Sequence, residues 1–208
     1  LESQIVSQDP PPAIFFSEYL EGSGSDRYLE IYNNTDDVIN LNDFAFANTA
    51  NDPNVPGVYD YWNAFDSNAT ITPGDVFVIA HPNADSLILQ QADMLFNYLS
   101  NGDDGHCLLE GSEENYNVID CIGDWYGDPG SGWDVAGVTE ATRNHILIRK
   151  SHIEHGNPDW ASSAGTNEED SEWIVMEENY WDGLGAHPSD PEEEIYYSLS
   201  FDGVDDYV

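Results

Sequence analysis

Positive charge is what this chain has least of. Arg27, Arg143, Arg149 and Lys150 are its only cationic side chains, 4 against 41 Asp plus Glu, for a formal net charge of −37. Neutralising phosphates takes Lys and Arg, so the composition argues against nucleic-acid binding, and an anionic membrane surface is a poor partner on the same ground. Long apolar runs are also missing: none approaches the roughly 20 residues of a membrane-spanning helix, so no membrane insertion is expected. The lead segment, residues 1–13, is polar and lacks the basic and apolar regions of a signal peptide. We expect a mature secreted chain whose signal has been removed.

Cysteine is nearly absent as well. Cys107 and Cys121 are the only two, without a CxxC redox motif and too few for a thiolate metal site. Two readings stay open for them: a disulfide across neighbouring strands, which we expect, and a pair of buried thiols. There is no Gly-x-Ser-x-Gly elbow, no P-loop and no histidine-paired cysteine context, so nucleophilic catalysis has no support and the chain does not read as an enzyme.

What is present is enough for a packed core, since 40% of residues are hydrophobic and 12% aromatic, including 6 Trp and 12 Tyr. A folded monomer of this size exposes on the order of 9,700 Å², which spaces the net charges roughly 16 Å apart. The Debye length is about 8 Å at physiological ionic strength, so salt or bound divalent cations quiet that repulsion. A saline or calcium-bearing exterior is the expected setting.

Strand patterns dominate. Residues 14–20 (IFFSEYL) and 27–32 (RYLEIY) flank a Gly-Ser connection at 21–25, as in a hairpin. Residues 38–41 (VINL) lead into 44–46 (FAF), and a turn at 71–75 (ITPGD) delivers the buried strand 76–80 (VFVIA). Further strands are predicted at 106–109, 117–122, 145–150 and 173–176, with Asn-, Asp-, Gly- and Pro-rich turns between them at the spacing of a sandwich. One short inserted helix is predicted within residues 83–95, with Asp85 or Ser86 as its cap. An acidic linker at 189–194 then precedes a new strand, 195–201 (IYYSLSF).

Several motifs in this order resemble the lamin-tail domain in its bacterial form: FSEYLEGS at 16–23, YLEIYN at 28–33, TPGD at 72–75, NGDDG at 101–105, VIDCIG at 118–123, GSGW at 130–133, HILIRK at 145–150, GNPDW at 156–160, EWIV at 172–175 and LGAH at 184–187. The resemblance covers residues 14–188 and implies an all-β, immunoglobulin-like β-sandwich. It does not carry over the DNA or chromatin partner linked to animal lamin tails, because this chain has almost no cationic surface to offer. Residues 195–208 resemble the first strand of a laminin-G or concanavalin-like module, a layout that implies a large secreted or cell-surface bacterial protein.

Among chemistry-bearing residues, the Asp-rich turns are the foremost candidates. Asp103 and Asp104, then Asp124, Asp128 and Asp134, and at the end Asp202 and Asp205, are candidate calcium ligands, although no segment has EF-hand spacing and Asx-turns account for the same residues. Trp125 and Tyr126, in a Gly-rich loop, are the candidate glycan contact, against the alternative of core packing. For Glu18 and Glu30 the lamin-tail resemblance implies a structural role, accepting hydrogen bonds from backbone donors or Arg27 at strand ends. The expected function is a non-catalytic adhesion or structural module whose partners are other extracellular modules, surface components or glycans. Two alternatives stand beside it: an accessory domain of a secreted nuclease or phosphatase, and a fibre subunit that self-associates through its C-terminal strand.

Overall fold

The structure, a computed structural model, describes residues 13–187. The acidic linker, the strand expected over 195–201, and Asp202 and Asp205 therefore lie outside the described residues, as does nearly all of the lead segment.

In chain order the strands are β1 (Ile14–Glu21), β2 (Arg27–Asn33), β3 (Ile39–Asn40), β4 (Phe44–Asn48), β5 (Tyr61–Ala64), β6 (Thr70–Ile71), β7 (Val76–Ala80), β8 (Met94–Leu95), β9 (His106–Ser112), β10 (Asn115–Ile122), β11 (His145–Arg149) and β12 (Trp173–Glu177). Two short helices, α1 (Ser86–Gln91) and α2 (Trp160–Ala164), are inserted between them. A six-stranded sheet, ordered β12-β11-β1-β2-β7-β8, faces a four-stranded sheet, β10-β9-β4-β5, and β3 with β6 forms a small ribbon. The pairs are antiparallel except β7 with β8. The architecture is the expected immunoglobulin-like sandwich. Among the described residues no helix is long and apolar enough to cross a membrane.

Between the sheets lie Phe16, Tyr19, Leu29, Ile31, Phe77 and Leu147 from one side and Phe46, Leu108, Ile119 and Ile122 from the other. A second cluster, with Leu20, Tyr28, Val78, Ile146, Ile148, Ile88 of α1 and Leu184, covers the outer face of the six-stranded sheet. That sheet is thus buried on both faces, which is why β7 and β11 read as unbroken apolar runs. β1 switches faces at a bulge between Phe16 and Glu18: Ile14 and Phe16 point into the inter-sheet core before it, and Tyr19 after it.

Cys107 and Cys121 face each other on the neighbouring strands β9 and β10 and form a buried disulfide. The helix is shorter than the sequence predicted. Asp85 caps α1 by accepting from the Leu87 N–H at 2.8 Å, and α1 stops at Gln91 because Asp93 turns the chain back along β7. The Asp93 carboxylate accepts from the Val78 N–H, and its own N–H donates to the Val78 carbonyl, both at 2.9 Å. Met94 and Leu95, expected inside the helix, instead form β8. Thr70 and Ile71 pair with β3 where the sequence read Ile71 as the start of a turn, and β5 and α2 were not anticipated.

Candidate functional site

With four cations in the chain, the place of each is informative. Arg149 ends β11 fully buried, its guanidinium 2.5 Å from both Asp120 and Glu172. Lys150 Nζ donates to the carbonyls of Ser171, at 2.7 Å, and Glu168. The fold uses both of these. Arg27, at the start of β2, lies 3.6 Å from Glu21, and its Nε is buried without a hydrogen-bond partner. Arg143, in the loop before β11, is exposed and has no ion pair among the described residues.

Arg27 and Arg143 line the same cleft, of about 440 Å³, with Glu21, Asn101, Asp103, Ser131 and Asn144. One wall is the β1–β2 connection, closed by the Gly22 N–H donating to the Asp26 carbonyl at 2.9 Å. The opposite wall is the turn after Ser100, whose hydroxyl accepts from the N–H groups of Gly102 (2.9 Å) and Asp104 (3.1 Å). Ser100 is held in turn by donating its N–H to Nε2 of His106 at 3.3 Å, and burial pushes this histidine down to about 4, so it stays neutral as an acceptor must. Gly102 has φ +110°, and a Cβ there would fall 2.7 Å from Cβ of Arg143. Only glycine lets Arg143 come this close. The Thr142 hydroxyl completes the arch by donating to the Gly102 carbonyl at 2.7 Å.

The acids of the cleft are also fixed. Glu21 accepts from the Asn144 N–H at 2.8 Å. Asp103 is 6% exposed; its Oδ2 accepts from the Asn51 side chain at 2.7 Å, and its Oδ1 is buried without a partner. Burial raises Glu21, Asp103 and Asp104 above the ordinary carboxylate range, and in Glu21 the Asn144 N–H, Arg27 and Arg143 oppose the rise.

The residues singled out in the sequence are dispersed. Asp103 lines the cleft and Asp104 lies behind it, accepting from the Asn51 N–H. Asp124, Asp128 and Asp134 each accept a backbone N–H, from Tyr126, Gly130 and Glu140, in three separate turns. Among the described residues no three His, Cys, Asp or Glu side chains come together as a metal site would need. Trp125 requires a correction: it is 5% exposed, packs beside the disulfide and Tyr59, and donates its indole N–H to the Gly105 carbonyl, so only Tyr126, 75% exposed, offers a ring to solvent. Glu18 and Glu30 do not meet Arg27. Glu18 accepts from the Tyr28 hydroxyl, and Glu30 from the Ser17 hydroxyl and the Gly185 N–H. Arg143 was missed as a site residue, although in a chain this poor in cations each one is a signal.

The model of the family described as Lamin Tail Domain matches residues 7–123, more than half of the chain. The Glu21, Arg27 and Asp103 side of the cleft lies inside that stretch and the Ser131, Arg143 and Asn144 side beyond it. Among solved structures the chain is similar to a DUF4876 family protein from Bacteroides thetaiotaomicron, with TM-score 0.52 and 12% identity over 86% of this chain and 75% of that one. At that identity the likeness concerns the fold alone. No curated protein matches. The chain belongs to the lamin tail domain family.

Proposed function

We propose that this lamin tail domain protein is a non-catalytic, extracellular module of a secreted or surface protein, joining other modules on a rigid sandwich and meeting partners through its loops. The Cys107–Cys121 disulfide carries the reading, because such bonds persist in oxidising surroundings and are rare in reducing ones. The charge of −37 supports the same location: it is tolerable in saline surroundings and leaves no cationic surface for chromatin. The cleft gives the module a formed surface feature, built from loops and from the strand ends that carry Glu21 and Arg27. Trapping thiols in the native protein during cell fractionation tests the location. The expected result is a fully oxidised protein in the extracellular or envelope fraction; reduced Cys107 and Cys121 in the cytoplasmic fraction would overturn it.

A further inference from the structure

The two outer faces of the sandwich are finished differently. On the six-stranded sheet, α1 and Leu184 cover the outer side chains. The outer face of the four-stranded sheet draws its cluster from strands and adjoining loops alone, with no residue of either helix. We propose that this second face is a docking surface for a cationic segment of a partner protein, which lays apolar side chains among Tyr59, Trp62 and Tyr116 and turns its Lys or Arg toward the acids at the rim. The face shares no residue with the cleft. Binding is measured on the purified chain, so the proposal does not depend on the extracellular reading.

The first support is the pattern of the strands. An antiparallel sheet with one face in water normally alternates, apolar inward and polar outward. Here the outward positions are apolar as well. One cross-strand row runs Trp62, Ala47, Cys107, Cys121 and the next runs Ala64, Ala45, Leu109, Val118, without a charged, hydroxyl or amide side chain in either. Tyr59 and Tyr116 join Trp62 and Trp125 in a set of touching rings with centroids 5.6 to 5.7 Å apart. The rings bury Ala47, Leu109 and the disulfide, while Tyr59, Trp62, Tyr116 and Val118 are themselves only partly buried. The apolar surface continues onto exposed Tyr126, whose ring stands over Gly57 where a Cβ would meet it at 3.0 Å, and onto exposed Val55 and Val58 of the same turn. Continuous apolar surface of this kind marks interaction sites, and Trp and Tyr are the residues that carry interfaces.

Charge then selects the occupant. None of the four cations lies on this face: Arg149 and Lys150 are taken up at the end of β11, and Arg27 and Arg143 line the cleft. Acids flank it instead, with Asp60 next to Tyr59 in the chain, Glu113 and Glu114 in the turn between β9 and β10, and Asp124 next to Trp125. Burial and the charge of Glu113 push the Tyr59 hydroxyl up from its ordinary value, which puts that carboxylate near the rings. A second copy of the chain brings another −37 to the contact and is repelled, as is any acidic partner. A basic partner is steered in, and its guanidinium groups gain from the rings as well as from the carboxylates. Four strands about 4.8 Å apart, the longest about 24 Å, give a face on the order of 400 Å². That is roughly half the ~800 Å² per partner of a stable complex, so a transient complex of micromolar affinity is expected.

The test is isothermal titration of the full 208-residue chain with a decapeptide alternating arginine and leucine. In about 0.15 M salt the Debye length of about 8 Å screens attraction to the chain as a whole and leaves contact on the face to decide. Decapeptides alternating arginine with serine and glutamate with leucine, and the oligosaccharide cellohexaose, are titrated in parallel. The arginine–leucine peptide should saturate and bind about tenfold more tightly than either other peptide. Trp62→Ser should weaken it about tenfold, and Tyr126→Ser and Glu113→Lys about threefold each. The last two change exposed side chains, should keep the melting temperature of the natural chain, and carry the test should Trp62→Ser fail to fold. No saturation by the arginine–leucine peptide, equal binding of the arginine–serine peptide, or unchanged binding by Tyr126→Ser and Glu113→Lys overturns the proposal. Tighter binding of the glutamate–leucine peptide overturns it on the ground of charge. Saturation by cellohexaose that Tyr126→Ser or Trp62→Ser abolishes overturns it in favour of a glycan, and a dimer of the natural chain that either variant returns to monomer overturns it in favour of a second copy.

Discussion

Two groups of carboxylates, all buried except the partly exposed Glu172, flank the bulge of β1, and they solve the same problem in opposite ways. On one side Asp120 and Glu172 are given a cation. Asp120 accepts from Arg149, from the Phe16 N–H and from the Asn157 N–H. Glu172 accepts from Arg149, the Ser163 hydroxyl and the Asn157 side chain. The guanidinium lies 3.9 Å over the Trp173 ring and also donates to the Phe16 carbonyl. The ladder from β1 to β11 stops at Glu18 and Ile148, and Asp120 and Arg149 supply the hydrogen bonds that Phe16 would otherwise make to a strand. On the other side Glu18 and Glu30 face each other across β1 and β2 with no cation. Tyr28, Ser17 and Gly185 donate to them, and Oε2 of Glu18 has no partner. Burial, and for Glu18 the charge of Glu30, pushes Glu18 up to about 8 and Glu30 up to about 7. A buried carboxylate either finds a cation and a full set of donors or keeps its proton.

Arg149→Met breaks the comparison most directly, because it turns the paired cluster into an unpaired one. We expect a loss of about 3–5 kcal/mol in urea unfolding. Adding Asp120→Asn should recover part of it, since a charge is no longer stranded, but not all, because the Phe16 carbonyl stays without its donor. A loss for Arg149→Met within the range of surface substitutions, about 0.5 kcal/mol, would mean that the network contributes little to the join between the sheets.

The unpaired cluster predicts a pH dependence. The folded chain holds protons on Glu18 and Glu30 up to about 8 and about 7, whereas both leave near 4.5 on unfolding. Between those values the folded form binds more protons, so stability falls as pH rises. The contribution is complete below about 4.5 and lost as pH passes through the folded values. Glu18→Gln should therefore stabilise the chain at pH 8 by on the order of 2–3 kcal/mol and do little at pH 4.5. Urea midpoints of the two chains at both pH values are the measurement, and parallel pH profiles would show that this pair does not hold its protons as described.

Much of the fold was legible because the six-stranded sheet is buried on both faces, so β1, β2, β7 and β11 carry dense runs of Ile, Leu, Val, Phe and Tyr. β5 was not, because it is an edge strand whose Tyr61 and Ala64 are exposed and whose sequence includes Asn63. The disulfide followed from two cysteines predicted to lie on adjacent strands. The site was less legible. Glu18 and Glu30 share a face only because the bulge at Ser17 shifts the alternation, and a bulge leaves no clear mark on the residue pattern. Arg27 and Arg143 meet only through tertiary folding, their approach made possible by Gly102. Trp125 looked exposed from its Gly-rich loop, yet the outer face of the four-stranded sheet needs a large ring over the disulfide.

The smallest effects come from a matched pair of hydroxyls, one in each cluster. Ser163 donates to Glu172 and accepts from Arg149 and from the Trp173 indole, so Ser163→Ala removes three hydrogen bonds and should cost about 2 kcal/mol. Ser17 makes one, to Glu30 at 2.7 Å, and Ser17→Ala should cost about 1 kcal/mol. Their pH behaviour distinguishes the clusters. The Ser17 hydroxyl holds the Glu30 carboxyl lower than burial alone would leave it, so its loss should be felt more at pH 8, where Glu30 is ionised, than at pH 5. Glu172 has the Arg149 guanidinium beside it in place of a second carboxyl, and the cost of Ser163→Ala should stay constant across that interval. Equal pH sensitivity in the two variants would mean that the charge states on the two sides of the bulge are not different after all.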